Sequence, residues 1–297
     1  MFLKIKKYSV LVSILLVLGS CGKFSKLQKK GTTEQKLEAA LNYYKKADYY
    51  KAGLLFEEIL PLLNGKPEAE TATFYNAYCQ YHQGLYSMSQ YMFKTFYDTY
   101  ARSDFAQEAL YMHTYSLYKD SPISSLDQSS TLSAIGAMQD FVNTYPESLF
   151  SAEATKLILE LREKLEKKAY EKVKLYYKTS EGDIRNFKSS VVAISNFQRE
   201  FPDSKYNEEL LYLKVDAEYK YGMNSFFEKQ KDRFQEAVTF YQEFVDKYPT
   251  SKFIKNAENI YDESVKELAR INKIEKETEK AKAADKAAKL TTPAGSN

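Results

Sequence analysis

Two cysteines and two histidines carry whatever covalent or metal chemistry this 297-residue chain could do. Cys79-x2-His82 places a thiol and an imidazole one helical turn apart, which by spacing is half of a metal site. Two ligands without a second pair make a weak site. The other histidine, His113, falls on a different predicted helix. The sequence shows no glycine-rich phosphate loop and no serine nucleophile elbow. Its carboxylates are scattered over predicted polar helix faces. Cys79 is therefore expected to be a small buried side chain beside a partly exposed His82. No catalytic residue, metal or cofactor is assigned, and the chain is not expected to be an enzyme.

Cys21 is a different case. Residues 1–20 read as a signal peptide, with Lys4, Lys6 and Lys7 as its positive start and Val10 to Leu18 as a short apolar stretch. That stretch falls short of the ~20 residues a membrane span needs. It runs into Leu18-Gly19-Ser20-Cys21, which resembles the bacterial lipobox. Cleavage before such a cysteine leaves a thiol and a new amine, and both receive acyl chains such as palmitate. Each buried CH2 contributes ~0.8 kcal/mol, and several chains anchor stably where one does not. Cys21 is thus the expected lipid attachment, holding the protein on a membrane through its N-terminal lipid. Gly22, rather than Asp, follows the cysteine, which by known lipoprotein sorting permits transfer to the outer membrane. Lys23, Lys26, Lys29 and Lys30 are unlike an acidic surface-export tag, so the chain is expected to face the periplasm. Residues 21–32 are expected to be a flexible, lipid-anchored tether.

Charge and composition narrow the rest. Lys and Arg number 43 against 40 Asp and Glu. Loss of the signal peptide removes three lysines and no acid, leaving 40 of each sign. A nucleic-acid footprint is absent from such a balance. Ten Gly and seven Pro are too few for the many turns of a sandwich or barrel. Two cysteines exclude a disulfide framework. With 26 Tyr and 18 Phe, the chain is too apolar to remain disordered.

The elements that must position these groups are repeated. A small residue, an apolar one four later, an aromatic three later and another four later recur as Ser89-Phe93-Phe96-Tyr100 and Ala134-Met138-Phe141-Tyr145. They return as Ser190-Ile194-Phe197-Phe201 and Ala237-Tyr241-Phe244-Tyr248, with a weaker first copy, Ala52-Phe56-Ile59-Leu63. Steps of 4, 3 and 4 keep one helix face. The small residue admits a neighbouring helix, and the large ones fill the space between repeats. After each full copy come Tyr100-Ala-Arg-Ser103-Asp-Phe105, Tyr145-Pro-Glu-Ser148-Leu-Phe150, Phe201-Pro-Asp-Ser204-Lys-Tyr206 and Tyr248-Pro-Thr-Ser251-Lys-Phe253. Proline stops the helix, serine is expected to cap the next one, and the following aromatic can pack back on the previous helix. Copies 37, 45, 56 and 47 residues apart fit helix–turn–helix units of the tetratricopeptide type with insertions.

The fold class is therefore all-α, a tetratricopeptide-like superhelix of about five helix pairs plus a C-terminal helix. Helices are predicted at 33–46, 48–63, 67–83, 85–100, 103–119, 130–145, 149–179, 183–201, 205–229 and 231–248, with a last one from 252. The repeat domain spans 33–265. Residues 266–297 form a Lys/Glu/Ala-rich tail that continues as helix and then frays.

Stacked helix pairs offer a face suited to extended peptides, and tyrosine gives a large rigid contact with a polar tip. Tyr75, Tyr78 and Tyr81 recur every three residues on one predicted helix. Tyr111, Tyr115 and Tyr118 follow on the next helix of the same type. Tyr75, Tyr78, Tyr81, Tyr111 and Tyr115 are the candidates for a peptide groove.

Together these features resemble the BamD family, the lipoproteins of the outer-membrane β-barrel assembly machinery. The resemblance is strongest at Phe141-Val-Asn-Thr-Tyr-Pro-Glu-Ser-Leu-Phe-Ser-Ala-Glu-Ala-Thr-Lys156. It continues through Leu161-Arg-Glu-Lys-Leu-Glu166, Tyr176-Tyr177 and Phe201-Pro-Asp-Ser204, with Leu126-Asp-Gln-Ser129 ahead of the third copy. It covers roughly residues 33–265. The resemblance implies a non-catalytic scaffold with two partners: a BamA-like barrel insertase and unfolded outer-membrane β-barrel proteins. The competing expectation is another tetratricopeptide-repeat envelope lipoprotein, one that scaffolds peptidoglycan synthesis or secretion. On either reading, Cys21→Ala is expected to leave the protein unacylated and released from the outer membrane on fractionation; retention of the variant would remove the anchor argument.

Overall fold

The computed structural model describes residues 22–180 and 182–291, with side chains as far as residue 286. The expected signal peptide, residues 1–20, and the acylation site Cys21 lie outside the described residues. Every regular element among the described residues is helical, and the fold is an all-α helical repeat. None of these helices is long and apolar enough to cross a membrane. The chain divides into two compact units, the first ending at Leu165 and the second beginning at Glu166.

The first unit contains α1 (residues 22–30), α2 (Thr33–Lys45), α3 (Tyr49–Ile59), α4 (Glu68–His82), α5 (Tyr86–Thr99), α6 (Ala106–Asp120), α7 (Ser129–Thr144) and the first half of α8 (Ser151–Thr179). The second contains the rest of α8, then α9 (Arg185–Glu200), α10 (Asn207–Met223), α11 (Phe227–Lys247) and α12 (Ile254–Thr291).

The recurring pattern lies on α3, α5, α7, α9 and α11. Ala52, Ser89, Ala134, Ser190 and Ala237 are all buried, as are Phe96, Phe141, Phe197 and Phe244. The small position lets two helices approach: the Ser89 hydroxyl meets that of Ser116 on α6 at 2.8 Å. Only the last copy departs from this pattern. Its Tyr241 is half-buried and stacks on Tyr261 of α12 at 4.6 Å.

The four turns after these helices share one construction. The N–H groups of Tyr100, Tyr145, Phe201 and Tyr248 donate back to Phe96, Phe141, Phe197 and Phe244 at 2.8–2.9 Å. Ser103, Ser148, Ser204 and Ser251 accept the amide two residues on at 3.0–3.2 Å. The next helix begins three residues after the serine, so the serine closes the turn instead of capping the helix, which corrects the sequence expectation. Three of these hydroxyls also donate to carboxylates: Ser103 to Glu70, Ser204 to Glu166 and Ser251 to Glu208, at 2.5–2.6 Å. The aromatic after each serine lies flat on a ring one repeat back. Phe105 stacks on Phe74 and Phe150 on Tyr111 at 4.5 Å, Tyr206 on Tyr170 at 4.0 Å and Phe253 on Tyr212 at 4.8 Å.

Three local departures from expectation have identifiable causes. The segment 22–30, expected to be flexible, is helical. Phe24 meets Tyr43 edge-on at 5.6 Å, and Leu27 packs on the first core. Gly31 then turns the chain; a Cβ there would lie 2.5 Å from the Leu27 carbonyl oxygen. Thr32 and Gln35 form a reciprocal capping box that starts α2. In the first repeat, Pro61 ends no helix abruptly. It sits in a 3-10 turn, Leu60–Leu62, that carries Leu63 into the core. Finally, the helix predicted over 205–229 stops at Met223, where the Asn224 side-chain amide folds back to donate to the Lys220 carbonyl at 2.8 Å.

Helix α10 is buried nearly all round, so its charged side chains need partners. The Lys214 ammonium is 3.6 Å from Glu243 and 3.8 Å from the Phe240 ring centre. Asp216 takes Lys220 at 2.8 Å and the Tyr177 hydroxyl. Glu218 is 4% exposed and makes no hydrogen bond or ion pair among the described residues. Burial first, and then the Glu236 carboxylate on α11, push its carboxyl up to about 7, against the opposing charges of Arg233, Lys214 and Lys188. A raised carboxyl favours the folded state only while protonated. This stabilisation is present below the unfolded value of 4.5 and is lost as pH rises through about 7. Glu218→Gln is therefore expected to match the natural protein near pH 4.5 and to exceed it by about 1–3 kcal/mol at pH 8. Urea unfolding at the two pH values measures this; parallel pH curves for the two proteins would contradict it.

Candidate functional site

The helical spacing of tyrosines on α4 and α6 builds one aromatic belt in the first unit. On α4, Tyr75, Tyr78 and His82 are three and four residues apart and share a face. On α6, Tyr111, Tyr115 and Tyr118 do the same. The two groups meet where Tyr81 comes within 6.0 Å of Tyr115. From α2, Tyr44 packs edge-on to Tyr75 at 4.8 Å, and from the start of α3, Tyr49 stacks on His82 at 4.1 Å. The belt thus runs Tyr49–His82–Tyr81–Tyr115–Tyr118, with ring centres 4.1–6.0 Å apart.

The five sequence candidates take different positions in it. Tyr75, Tyr81 and Tyr115 are half-buried. Tyr78 is half-buried, wedged between Phe74 and Phe93, with its hydroxyl donated to Glu108. Tyr111 is 5% exposed, stacked on Phe150, and offers no free face. Tyr44 and Tyr49 were not singled out from sequence. Their signal was the paired tyrosines 43–44 and 49–50 flanking the first turn.

Electrostatics suit the belt to recognition. Burial lifts the Tyr81 phenol to about 12, and the Glu160 carboxylate, bonded at 2.8 Å, lifts Tyr118 to about 12. Burial raises Tyr44, Tyr78 and Tyr111 as well, with Glu108 and Glu153 adding to the latter two. These phenols stay neutral at physiological pH. Burial also lowers His82, so its ring remains an uncharged stacking surface. The array presents apolar faces with hydroxyl tips, a surface for extended apolar or aromatic side chains.

Cys79 and His82 do not form a metal half-site. Cys79 is fully buried in the first core, where burial pushes its thiol up to about 12, while His82 lies outside against Tyr49. His113 accepts its own structural role through a 2.8 Å contact between Nδ1 and the Gln90 carbonyl oxygen. Among the described residues, no three His, Cys, Asp or Glu side chains gather where they could hold a metal ion.

A helical-repeat scaffold whose clustered side chains are stacked neutral rings belongs to the binding class of proteins. The family described as YfiO, outer membrane lipoprotein, matches residues 29–184 and again 180–288. The chain belongs to this family of non-catalytic, outer-membrane-associated lipoproteins. No curated protein matches it.

Since Tyr78 works through its ring and its hydroxyl separately, two substitutions divide its contribution. Tyr78→Phe removes only the bond to the half-exposed Glu108 and is expected to cost about 1 kcal/mol. Tyr78→Ala also empties the space between Phe74 and Phe93 and should cost ~3 kcal/mol or more. Equal losses in denaturant unfolding would show that the ring does not carry the packing.

Proposed function

We propose that this chain is a BamD-type scaffold of the outer-membrane β-barrel assembly machinery. Lipids on Cys21 hold it at the outer membrane, facing the periplasm. The aromatic belt of the first unit receives unfolded outer-membrane β-barrel proteins, and the later repeats dock on a BamA-like insertase. The observation that carries this reading is the continuous belt of neutral rings on a repeat scaffold of outer-membrane lipoprotein type. A barrel strand alternates apolar and polar side chains, so its apolar face can lie on ring faces while its polar groups meet tyrosine hydroxyls.

Affinity purification of the lipidated protein from mildly solubilised outer membranes tests the partner assignment. A stoichiometric barrel protein with periplasmic repeat domains is expected among the co-eluting proteins. Peptidoglycan synthases or secretion components in its place would transfer the function to a different envelope scaffold. For the belt, Tyr75 and Tyr81 together replaced by Ala should weaken binding of a C-terminal barrel peptide at least about tenfold, the equivalent of 1.4 kcal/mol, with helicity retained. Unchanged binding would place the peptide elsewhere.

A further inference from the structure

The second unit contains a cleft of about 300 Å3 between α9, α10 and α11. Its wall includes Lys188 of α9, Glu218 and Tyr221 of α10, and Lys229, Asp232, Arg233 and Glu236 of α11. Glu218 lines this space while 4% exposed, and among the described residues nothing donates to it. An ionised carboxylate buried without a partner is costly. The other buried charges on the same helix, Lys214 and Asp216, have theirs. Arg233 is committed elsewhere, lying 3.4 Å from the Tyr221 ring centre and donating to the Tyr221 carbonyl oxygen at 3.4 Å. Lys188 and Lys229 are exposed, so their ammonium groups can remain in water at the rim.

Three features define what would fill this space. A volume near 300 Å3 lies at the lower end of small-molecule sites and suits one long side chain. The Glu218 carboxylate borders the cleft and receives no donor from the described residues, so it favours a hydrogen-bond donor there, best a cationic one. The rim carries both signs, Lys188 and Lys229 beside the equally exposed Asp232 and Glu236, so a basic side chain with acidic neighbours finds partners for both, whereas a free polyamine would set its further positive charges against the two lysines.

We propose that this cleft is a socket for one basic side chain of a partner polypeptide, an arginine or lysine that pairs with Glu218 while acidic neighbours of that residue meet Lys188 and Lys229. The scaffold reading supplies the source of that side chain; the chemistry of the socket stands without it.

The test uses the full mature chain and the peptide Ac-Asp-Arg-Asp-NH2, followed by calorimetric titration and by the carboxyl resonance of Glu218. Saturable binding in the millimolar range is expected, appropriate to a single ion pair, with a shift of the Glu218 resonance. Replacing arginine in the probe by citrulline should abolish binding to the natural protein. Glu218→Gln should weaken binding of the arginine probe at least about tenfold, the equivalent of 1.4 kcal/mol. Equal binding of the citrulline probe would overturn the proposal without reference to any variant. Equal binding by the Gln variant, or tighter binding of spermidine than of the peptide, would overturn it too. No barrel component enters the experiment, so its result is independent of which proteins co-purify with the scaffold.

Discussion

The face-to-face ring pair at each turn is the contact on which the repeat depends. A proline or a C-terminal amide bond can stop a helix, but neither decides where the next helix goes. The flat stack does so, because Phe105 can reach Phe74, and Tyr206 can reach Tyr170, only when the new helix lies against the earlier one. Such a pair contributes roughly 0.5–1.5 kcal/mol beyond its buried area. The serine one step earlier adds a hydrogen bond to a carboxylate of the earlier helix at three of the four turns. Ring and serine together give three of the four turns a two-point attachment to the preceding repeat, and the turn at Ser148 is held by its ring. A repeat fold built this way is stabilised chiefly by contacts between neighbours.

The same economy explains why the tyrosines are both structural and available. Each ring has two faces, an edge and a hydroxyl. Packing takes some of these and leaves others. Tyr111 gives everything to the core, whereas Tyr81 and Tyr115 keep part of their surface in solvent. Neighbouring carboxylates, Glu108 and Glu160, accept hydrogen bonds from the hydroxyls of Tyr78 and Tyr118 and hold the phenols neutral and oriented. A surface built of such rings loses little side-chain entropy on meeting a ligand, since the rotamers are already fixed. On the proposed function, binding of apolar strands would draw on the same interactions that hold the repeats together.

Much of this architecture was legible from residue spacing. The 4-3-4 pattern identified the buried face of every second helix because burial on a helix must follow its period; the aromatic after each serine, expected to pack back on the previous helix, stacks instead on the helix before that one. What spacing could not show was contact between elements. The serine–glutamate bonds join residues 33 to 43 positions apart. Tyr44 and Tyr49 entered the belt only because the turn between α2 and α3 places both against α4. Phe24 and Leu27 were hidden within a lysine-rich stretch whose charge suggested a solvated tether, although the two apolar residues are three apart and share a helix face. Glu218 was invisible for a related reason: on a helix buried all round, periodicity no longer distinguishes a partnered charge from an unpartnered one.

The C-terminal helix shows the limit of the repeat logic. Helix α12 closes the last pair with Ala257, Ser264 and Ile271, all fully buried. The Lys231–Glu275 pair at 2.6 Å fastens it to α11. Beyond Glu275 every side chain described is exposed, yet the helix continues to Thr291. Among the described side chains no tertiary burial supports that stretch, which rests on the intrinsic preference of its Ala, Lys and Glu residues for the helical state. Isolated helices of this length are marginal in water. The stretch persists because its first turn is already nucleated by the packed part of α12, which removes the costly initiation step and leaves only propagation.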